Sequence, residues 1–378
     1  MMNFGYHLPV NLIFGTGAVD RAGEQTALWG KKALLVTGGG SARRSGLYGR
    51  VCASLEKEGV ETVTFDRVEQ NPLTTTAEAG AALAKQSECD VVVGLGGGSV
   101  MDCAKAVAFL TLNDGDVSEY IYGRLTGDRA LPLILIPTTC GTGSEGNGFA
   151  VLTNPATGDK KSLRTPSIIA RASLVDPACM TTLPKKVLAS VGFDALCHSM
   201  EAYVANAATP LSDALALEAV KLAASSLVPL VTGTDESMEA WEQLTLASTL
   251  GGMVIGTAGV TLAHGMEHPA SGIRNVVHGQ GLAALTPAAM EVLLPGSPEK
   301  FARLSTLLGG TGAGDCADAV RDLLSRIGLS VTLGDLGILE EDIPWMTQNC
   351  LKVSAGNLAN CPVPVDGTMI EEVYRCCL

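Results

Sequence analysis

The fold is decided by residues 90–99, which read DVVVGLGGGS. A short run of valine and leucine that breaks into glycines is typical of a buried strand followed by a tight turn. Strands that alternate with helices of 10 to 15 residues predict an α/β region with a parallel sheet. The same strand character recurs at residues 32–37, 61–65 and 131–139, and helical composition intervenes at residues 45–58 and 74–88.

The second half of the chain changes character, because strand signals nearly vanish and long helical runs take over. We predict two domains on this basis, an α/β domain over residues 1–180 and an all-helical domain over residues 181–378. Residues 151–163 predict a hairpin near the end of the first domain, with turn residues at its centre. The predicted helices cover residues 185–204, 210–230, 236–255, 260–272, 279–291 and 313–327.

The composition describes a folded protein with much buried surface. Apolar residues make up 47% of the 378 residues, and charged residues only 17%, against a typical figure of about 25%. The formal net charge is −13, from 26 basic and 39 acidic residues. Binding to nucleic acid or to an anionic membrane is therefore not expected. The low charge content favours burial of surface against a second copy of the chain.

The cysteine pattern and the amino-terminal sequence predict a cytoplasmic protein. Eleven cysteines are scattered without a C-x-x-C pair, and the first residues lack the basic and apolar regions of a secretory signal. Residues 244–263 form a run of 20 residues without a charge, which is long enough to cross a bilayer. Four glycines and five serine or threonine residues in that run favour a buried helix and turn.

Three glycine-rich turns follow predicted strands of the first domain. They lie at residues 38–41 (GGGS), 96–99 (GGGS) and 138–144 (TTCGTGS). Ligands collect at the carboxyl ends of parallel strands, where these turns must lie. A loop without Cβ atoms lets backbone N–H groups approach a pyrophosphate, and a helix that starts after it adds a favourable dipole. The three turns together predict nucleotide binding and mark the first domain as a dinucleotide-binding domain.

The first of these turns also bears on the choice of nucleotide. Arg43 and Arg44 follow it, and no acid does. Dinucleotide folds that select NAD place a carboxylate on the ribose 2′-hydroxyl, whereas sites for NADP use arginine there. The pattern favours NADP(H) over NAD(H). The alternative is that both arginines are solvated charges on a helix face.

The histidines cluster in two short windows of the helical domain. Asp194 and His198 are four residues apart in the first window, and His264 and His268 are four apart in the second, shortly before His278. Residues four apart share one face of a helix, and a face with two such side chains is a common way to bind a divalent metal. We predict a metal site from this clustering. Fe(II), Zn(II), Co(II) and Ni(II) all suit these donors. The remaining histidine, His7, is interpreted as structural.

Four motifs together resemble those of the iron-containing alcohol dehydrogenase family (group III). They are residues 96–105 (GGGSVMDCAK), 137–145 (PTTCGTGSE), 192–204 (GFDALCHSMEAYV) and 264–279 (HGMEHPASGIRNVVHG), in the family's order and spacing. The resemblance extends over nearly the whole chain. It implies one divalent metal ion, Fe(II) first with Zn(II) as the alternative, and a nicotinamide cofactor.

The resemblance also assigns individual residues. It implies that Asp194, His198, His264 and His278 hold the metal, and that His268 lines the site beside it without ligating. Related glycerol dehydrogenases and dehydroquinate synthases differ at these ligands. Implied contacts to the cofactor come from Asn71, Gly97, Gly98, Ser99, Thr138, Thr139, Thr142 and Lys160, and the first turn adds Gly38, Gly39, Gly40 and Ser41.

Two positions depart from the family's usual pattern. Many members that use NAD carry an acid just after the first strand of the glycine-turn series, where this chain has Gly38. This resembles the branch of NADPH-dependent butanol and aldehyde reductases. The second departure is Glu267, where a small residue is often found. We expect its charge to alter either metal affinity or pH dependence.

These observations predict an enzyme that transfers hydride between NADP(H) and a small alcohol or aldehyde in the cleft between the two domains. A bound metal would polarise the carbonyl oxygen, and His268 would pass a proton to that oxygen. Phe149, Phe193 and Val254 are expected to line the pocket for the substrate. Two alternatives remain, a metal- and NAD-dependent lyase similar to dehydroquinate synthase and a non-catalytic nucleotide-binding protein.

Overall fold

A computed structural model describes residues 3–378 of the chain. The first half contains a sheet of parallel strands with the order β1-β8-β5-β4-β2-β3, and an antiparallel hairpin of β6 and β7. The predicted strands and the predicted hairpin are confirmed. The strands are β1 (Asn11–Phe14), β2 (Lys32–Gly38), β3 (Glu61–Val68), β4 (Val91–Gly96), β5 (Leu133–Pro137), β6 (Phe149–Thr153), β7 (Lys160–Arg164) and β8 (Ala172–Val175).

The sheet is covered by helices on both faces, which explains why its central strands are apolar throughout rather than alternating. Along β4, Val91 and Val93 enter the core on one face, while Val92 enters the core on the other. All six residues of β4 are buried. The helices of this half are α1 (Ala22–Ala27), α2 (Ser41–Arg44), α3 (Leu47–Lys57), α4 (Thr74–Gln86), α5 (Gly98–Leu110) and α6 (Val117–Ile121).

The second half is helical and has one continuous apolar core of its own. The α/β fold followed by a largely helical region agrees with the predicted fold class. The helices are α7 (Lys185–Val204), α8 (Pro210–Thr232), α9 (Met238–Ala258), α10 (Leu262–Arg274), α11 (His278–Leu293), α12 (Pro298–Leu307), α13 (Cys316–Arg326), α14 (Ile343–Val353), α15 (Ala355–Ala359) and α16 (Gly367–Cys376).

The uncharged run at residues 244–263 forms a helix and turn, as predicted. It covers most of α9, ends beyond a glycine with a positive φ (Gly259, 70°), and enters α10 at a bend of 102°. By length and composition alone, α8 could cross a membrane, and α9 with α10 could do so as a bent pair. In the structure α8 packs against α7 and α9, and its apolar side chains contribute to the helical core.

Close contacts between the two halves of the chain define the cleft between them. A Cβ atom on Gly252 of α9 would lie 1.8 Å from the carbonyl oxygen of Gly143 in the turn after β5. Only glycine permits this backbone approach. On the other side of the cleft, the amide of Asn71 donates to the side chain of Asn275 at 2.8 Å and to the carbonyl of Val276 at 3.2 Å.

Candidate active site

Three helices bring one carboxylate and three imidazoles together at the bottom of the cleft. Helix α7 carries Asp194 and His198 one turn apart, α10 supplies His264, and α11 begins at His278. One potential ligand atom from each residue lies within 4.8 Å of all the others. The oxygen Asp194 Oδ1 is 3.6 Å from His264 Nε2 and 3.5 Å from His278 Nε2. The four residues named from the sequence therefore form one cluster.

The cluster has the donors that a divalent metal ion requires. Asp194 Oδ1 and His264 Nε2 are buried and have no hydrogen-bond partner within residues 3–378. Buried polar atoms in native proteins are normally paired, so two unpaired atoms of the metal-ligating type in one cluster favour the binding of a cation there. Burial opposes ionisation of Asp194, but the neighbouring imidazoles, His198 foremost, lower its pKa overall. Oxygen and nitrogen donors of this kind suit Fe(II) and Zn(II).

A second carboxylate, which the sequence analysis missed, orients His264. Glu201 Oε1 lies 2.5 Å from His264 Nδ1, and Oε2 accepts from the backbone N–H of Thr261 at 2.7 Å. The same carboxylate thus satisfies an unpaired N–H at the start of α10 and fixes the ring of His264. Burial alone would lower the pKa of His264. The carboxylates of Glu201 and Asp194 outweigh this effect and raise the pKa to about 10. Glu201 is seven residues after Asp194, on the same face of α7.

Glu267 plays the corresponding part for His278. Its Oε2 lies 2.5 Å from His278 Nδ1 and 3.3 Å from Lys160 Nζ, and the hydroxyl of Ser271 donates to its Oε1. The side chain of Glu267 is fully buried. Burial raises the pKa of Glu267, but His278 and Lys160 lower it more, so the carboxylate is charged. Glu267 therefore links His278, a predicted metal ligand, to Lys160 of β7.

A cavity lies between the two halves and is lined by residues of both predicted sites; its empty space is about 820 Å³ with the part open to solvent included. Its wall combines three histidines of the cluster with residues of the second and third glycine turns. Five of the predicted cofactor residues line it, namely Asn71, Gly98, Ser99, Thr142 and Lys160. The other seven, Gly38, Gly39, Gly40, Ser41, Gly97, Thr138 and Thr139, lie outside its lining in the part of the chain that the structure describes.

The apolar side of the cavity differs from the prediction. Phe149 lines it as expected. Phe193 and Val254 do not, because both are fully buried inside the helical core, so this part of the prediction is wrong. Ile255 and Val260 take their place in the wall. Helices α7 and α9 are apolar on several faces, and the sequence alone does not say which face meets the cavity.

His268 lies at the edge of the cavity and faces two spaces at once. It lines both this cavity and a neighbouring chamber. Its ring centre is 6.2 Å from that of His278. Burial, and then the charge of Lys160, lower its pKa well below the usual value. The imidazole of His268 is therefore neutral near pH 7, with one N–H and one free lone pair.

The two arginines beside the first glycine turn have different surroundings. Arg43 forms an ion pair with Asp66 at 3.3 Å and lies 3.8 Å from the centre of the Tyr48 ring. The guanidinium of Arg44 lies against Gly40, 2.8 Å from where a Cβ atom would stand. Both side chains are exposed. Of the two, Arg44 is the one whose guanidinium lies against the glycine turn.

A parallel sheet with glycine turns, a helical region and an aspartate–histidine cluster between them define a metal-dependent dehydrogenase of the kind that uses a nicotinamide cofactor. Residues 9–177 match the family model described as "Iron-containing alcohol dehydrogenase". Residues 188–378 match the model described as "Fe-containing alcohol dehydrogenase family, C-terminal". The chain belongs to the iron-containing alcohol dehydrogenase family, as the resemblance predicted, and it is an alcohol oxidoreductase.

Named relatives match over the full length of the chain. The 1,3-propanediol dehydrogenase of Citrobacter freundii is 34% identical over 382 residues, which cover 98% of both chains. An archaeal alcohol dehydrogenase from a Red Sea brine pool superposes with a TM-score of 0.94 at 32% identity, covering 100% of both chains. The NADH-dependent butanol dehydrogenase A of Thermotoga maritima has a TM-score of 0.91 at 30% identity, covering 100% of this chain and 99% of that one.

Proposed function

We propose that the enzyme reduces small aldehydes to alcohols, reversibly, with hydride from NADPH. The observation that carries this proposal is the shared cavity, which joins a cluster of unpaired metal-type donors to a glycine turn at the start of α5. A nicotinamide bound across that turn would reach the cluster through the cavity. A helix that starts directly after a glycine turn favours the pyrophosphate of the cofactor.

In this proposal Asp194, His198, His264 and His278 hold one divalent ion, Fe(II) first and Zn(II) as the alternative. When bound, such an ion supplies Lewis-acid polarisation of a carbonyl oxygen. Glu201 and Glu267 orient two of the imidazoles through their other ring nitrogens. The proposed cofactor contacts are Gly38, Gly39, Gly40, Ser41, Asn71, Gly97, Gly98, Ser99, Thr138, Thr139, Thr142 and Lys160.

The proton for the substrate oxygen is assigned to His268. A neutral imidazole can donate from one ring nitrogen while it accepts a proton at the other. Because His268 lines both the cavity and the neighbouring chamber, it can take a proton on the chamber side and pass one on the cavity side. Ile255 and Val260 add apolar surface to the wall of the cavity.

The reaction is tested by following NADPH oxidation on metal-stripped protein that has been reloaded with Fe(II) or Zn(II). A panel of short aldehydes is used, with NADH measured in parallel. Activity that depends on metal and favours NADPH supports the whole proposal. Activity that favours NADH keeps the reaction and rejects the cofactor assignment. No turnover with any aldehyde or metal rejects the reaction itself.

The preference for NADPH rests on Gly38 and the exposed Arg44. Replacing Gly38 by aspartate is expected to lower kcat/KM for NADPH by about 100-fold relative to NADH, because the new carboxylate repels the 2′-phosphate. Gly38→Ala is the matched steric control, since a Cβ atom there lies 3.2 Å from the Val68 carbonyl oxygen. Equal loss with both nucleotides in Gly38→Asp would contradict the assignment.

Glu267 is expected to strengthen metal binding through His278. Replacing it by glutamine should weaken metal affinity by about 10- to 100-fold, the usual effect of losing a carboxylate that supports a ligand. Competition with a chelator measures this affinity. Glu291→Gln is the control, because Glu291 is exposed, pairs with Arg321 and lies near the opposite end of α11 from His278. Metal affinity that is unchanged in Glu267→Gln would remove this residue from the metal site.

The proposal includes a homodimer in the cytoplasm, with domains at residues 1–180 and 181–378. Strand β1 forms one edge of the sheet, and the nearby Phe14, Leu28 and Trp29 are exposed. An open edge flanked by apolar side chains favours pairing with a second chain. All eleven cysteines are free thiols, which supports a reducing compartment.

A further inference from the structure

One face of the hairpin formed by β6 and β7 lines the cavity. Lys160, Ser162 and Arg164 alternate along β7 and so point to the same side, opposite Phe149 and Val151 of β6. All five line the cavity. Lys160 marks the inner end, since it contacts Glu267 beside the proposed metal ligands. Arg164 lies four residues further out, about 13 Å along the strand.

The two cations of this face differ in their partners. Lys160 is neutralised by Glu267 at 3.3 Å. Arg164 has no ion pair or hydrogen bond within residues 3–378; its guanidinium lies 4.5 Å from the centre of the Phe149 ring. Stacking on an aromatic face orients a guanidinium and leaves its N–H groups free to bind. Arg164 is exposed to solvent within the cleft, so an incoming molecule can reach it.

The neighbouring chamber is also lined by basic side chains. It adjoins the cavity at Ser162, Arg164 and His268, and it also contains Lys161. Its lining holds two basic side chains and no carboxylate among the described residues. The chain as a whole carries a net charge of −13, which repels anions from most of its surface. The chamber and the outer end of the cavity therefore share a local group of basic side chains, in a chain that is acidic as a whole.

We propose that Arg164 binds the anionic end of the substrate, so that the preferred aldehydes carry a carboxylate or phosphate at the end remote from the carbonyl. This inference rests on the proposed function, because it assumes that the carbonyl lies at the histidine end of the cavity. Arginine forms paired hydrogen bonds with planar oxyanions, and such charge-assisted bonds are among the stronger ones in proteins. The apolar wall of Phe149, Ile255 and Val260 accommodates the carbon chain between the two ends.

The test compares substrates that match in length and differ in charge. Reduction of 4-oxobutanoate is measured against butanal, and glyceraldehyde 3-phosphate against glyceraldehyde, which separates carboxylate from phosphate. We expect the anion of at least one pair to be favoured. In Arg164→Met, kcat/KM for that anion should fall by about 10- to 100-fold, while the neutral aldehyde changes by less than about twofold. Arg164→Lys keeps the charge and should retain part of the preference.

Two results would overturn the inference and leave the proposed function standing. One is equal use of charged and neutral aldehydes by the wild-type enzyme. The other is a change in the KM of NADPH alone in Arg164→Met, which would assign Arg164 to a cofactor phosphate. If no aldehyde is reduced, the proposed function fails, and calorimetry decides the anion site separately. Butanoate should then bind the enzyme–NADPH complex and lose affinity in Arg164→Met; no binding would overturn the site.

Discussion

Replacing Asp194 by alanine is expected to remove bound divalent metal and to lower kcat/KM by at least about 10³-fold. Asp194 supplies the single negative charge among the four proposed ligands, and its Oδ1 lies within 3.6 Å of nitrogens from three histidines. Without it, the three imidazoles remain to hold the ion, with no negative charge among them. Loss of Lewis-acid polarisation removes several kcal/mol of transition-state stabilisation, which corresponds to a rate loss of this order.

Metal content and activity are measured on the same preparation of Asp194→Ala. Asp318→Ala is the control, because Asp318 is a largely exposed residue of α13, and it should keep full metal and full activity. The thermal midpoint shows whether the variant still folds. Because Asp194 Oδ1 has no hydrogen-bond partner within residues 3–378, its removal is expected to leave the surrounding helices folded. A folded variant with one metal ion per chain would rule Asp194 out as a ligand.

Local spacing made the core of this site predictable from the sequence. Asp194 and His198 are one helical turn apart, as are His264 and His268, so each pair shares a face wherever the helix lies. The strands that end in glycine are also local signals, since an apolar run must stop where the chain needs a turn without Cβ atoms. The sequence therefore predicted where the strands end in glycine turns, and it predicted the residues of the aspartate–histidine cluster.

Features that depend on packing between distant elements were not predictable. Glu201 contacts His264 across 63 residues of sequence, and Lys160 contacts Glu267 across 107. Arg164 was not identified because a cation at the end of a strand has no special pattern. Val254 and Ile255 are neighbours on a helix that is apolar on several faces. Only the packed structure shows that Ile255 meets the cavity while Val254 enters the core.

Replacing His268 by alanine is expected to lower kcat by about 10²-fold or more while metal content stays unchanged. Removing a general acid–base group costs about 10² to 10⁴ in rate, and His268 is the imidazole of the cavity wall that is outside the four-residue cluster. Stopped-flow measurement of NADPH oxidation at saturating aldehyde reports kcat directly. His7→Ala is the matched control, since His7 is exposed and should tolerate the change without loss.

The two spaces that His268 lines allow a sharper test of its role. In His268→Ala, loss of the ring is expected to leave room for a small molecule where the cavity and the chamber adjoin. Free imidazole added to the medium should enter from the chamber and restore part of kcat. A side chain that only shapes the cavity would not be replaced in this way, because a freely diffusing ring restores proton transfer more readily than packing. Equal kcat in His268→Ala and wild type would remove His268 from the reaction, and unrestored loss together with lower metal content would reassign it to support of the metal site.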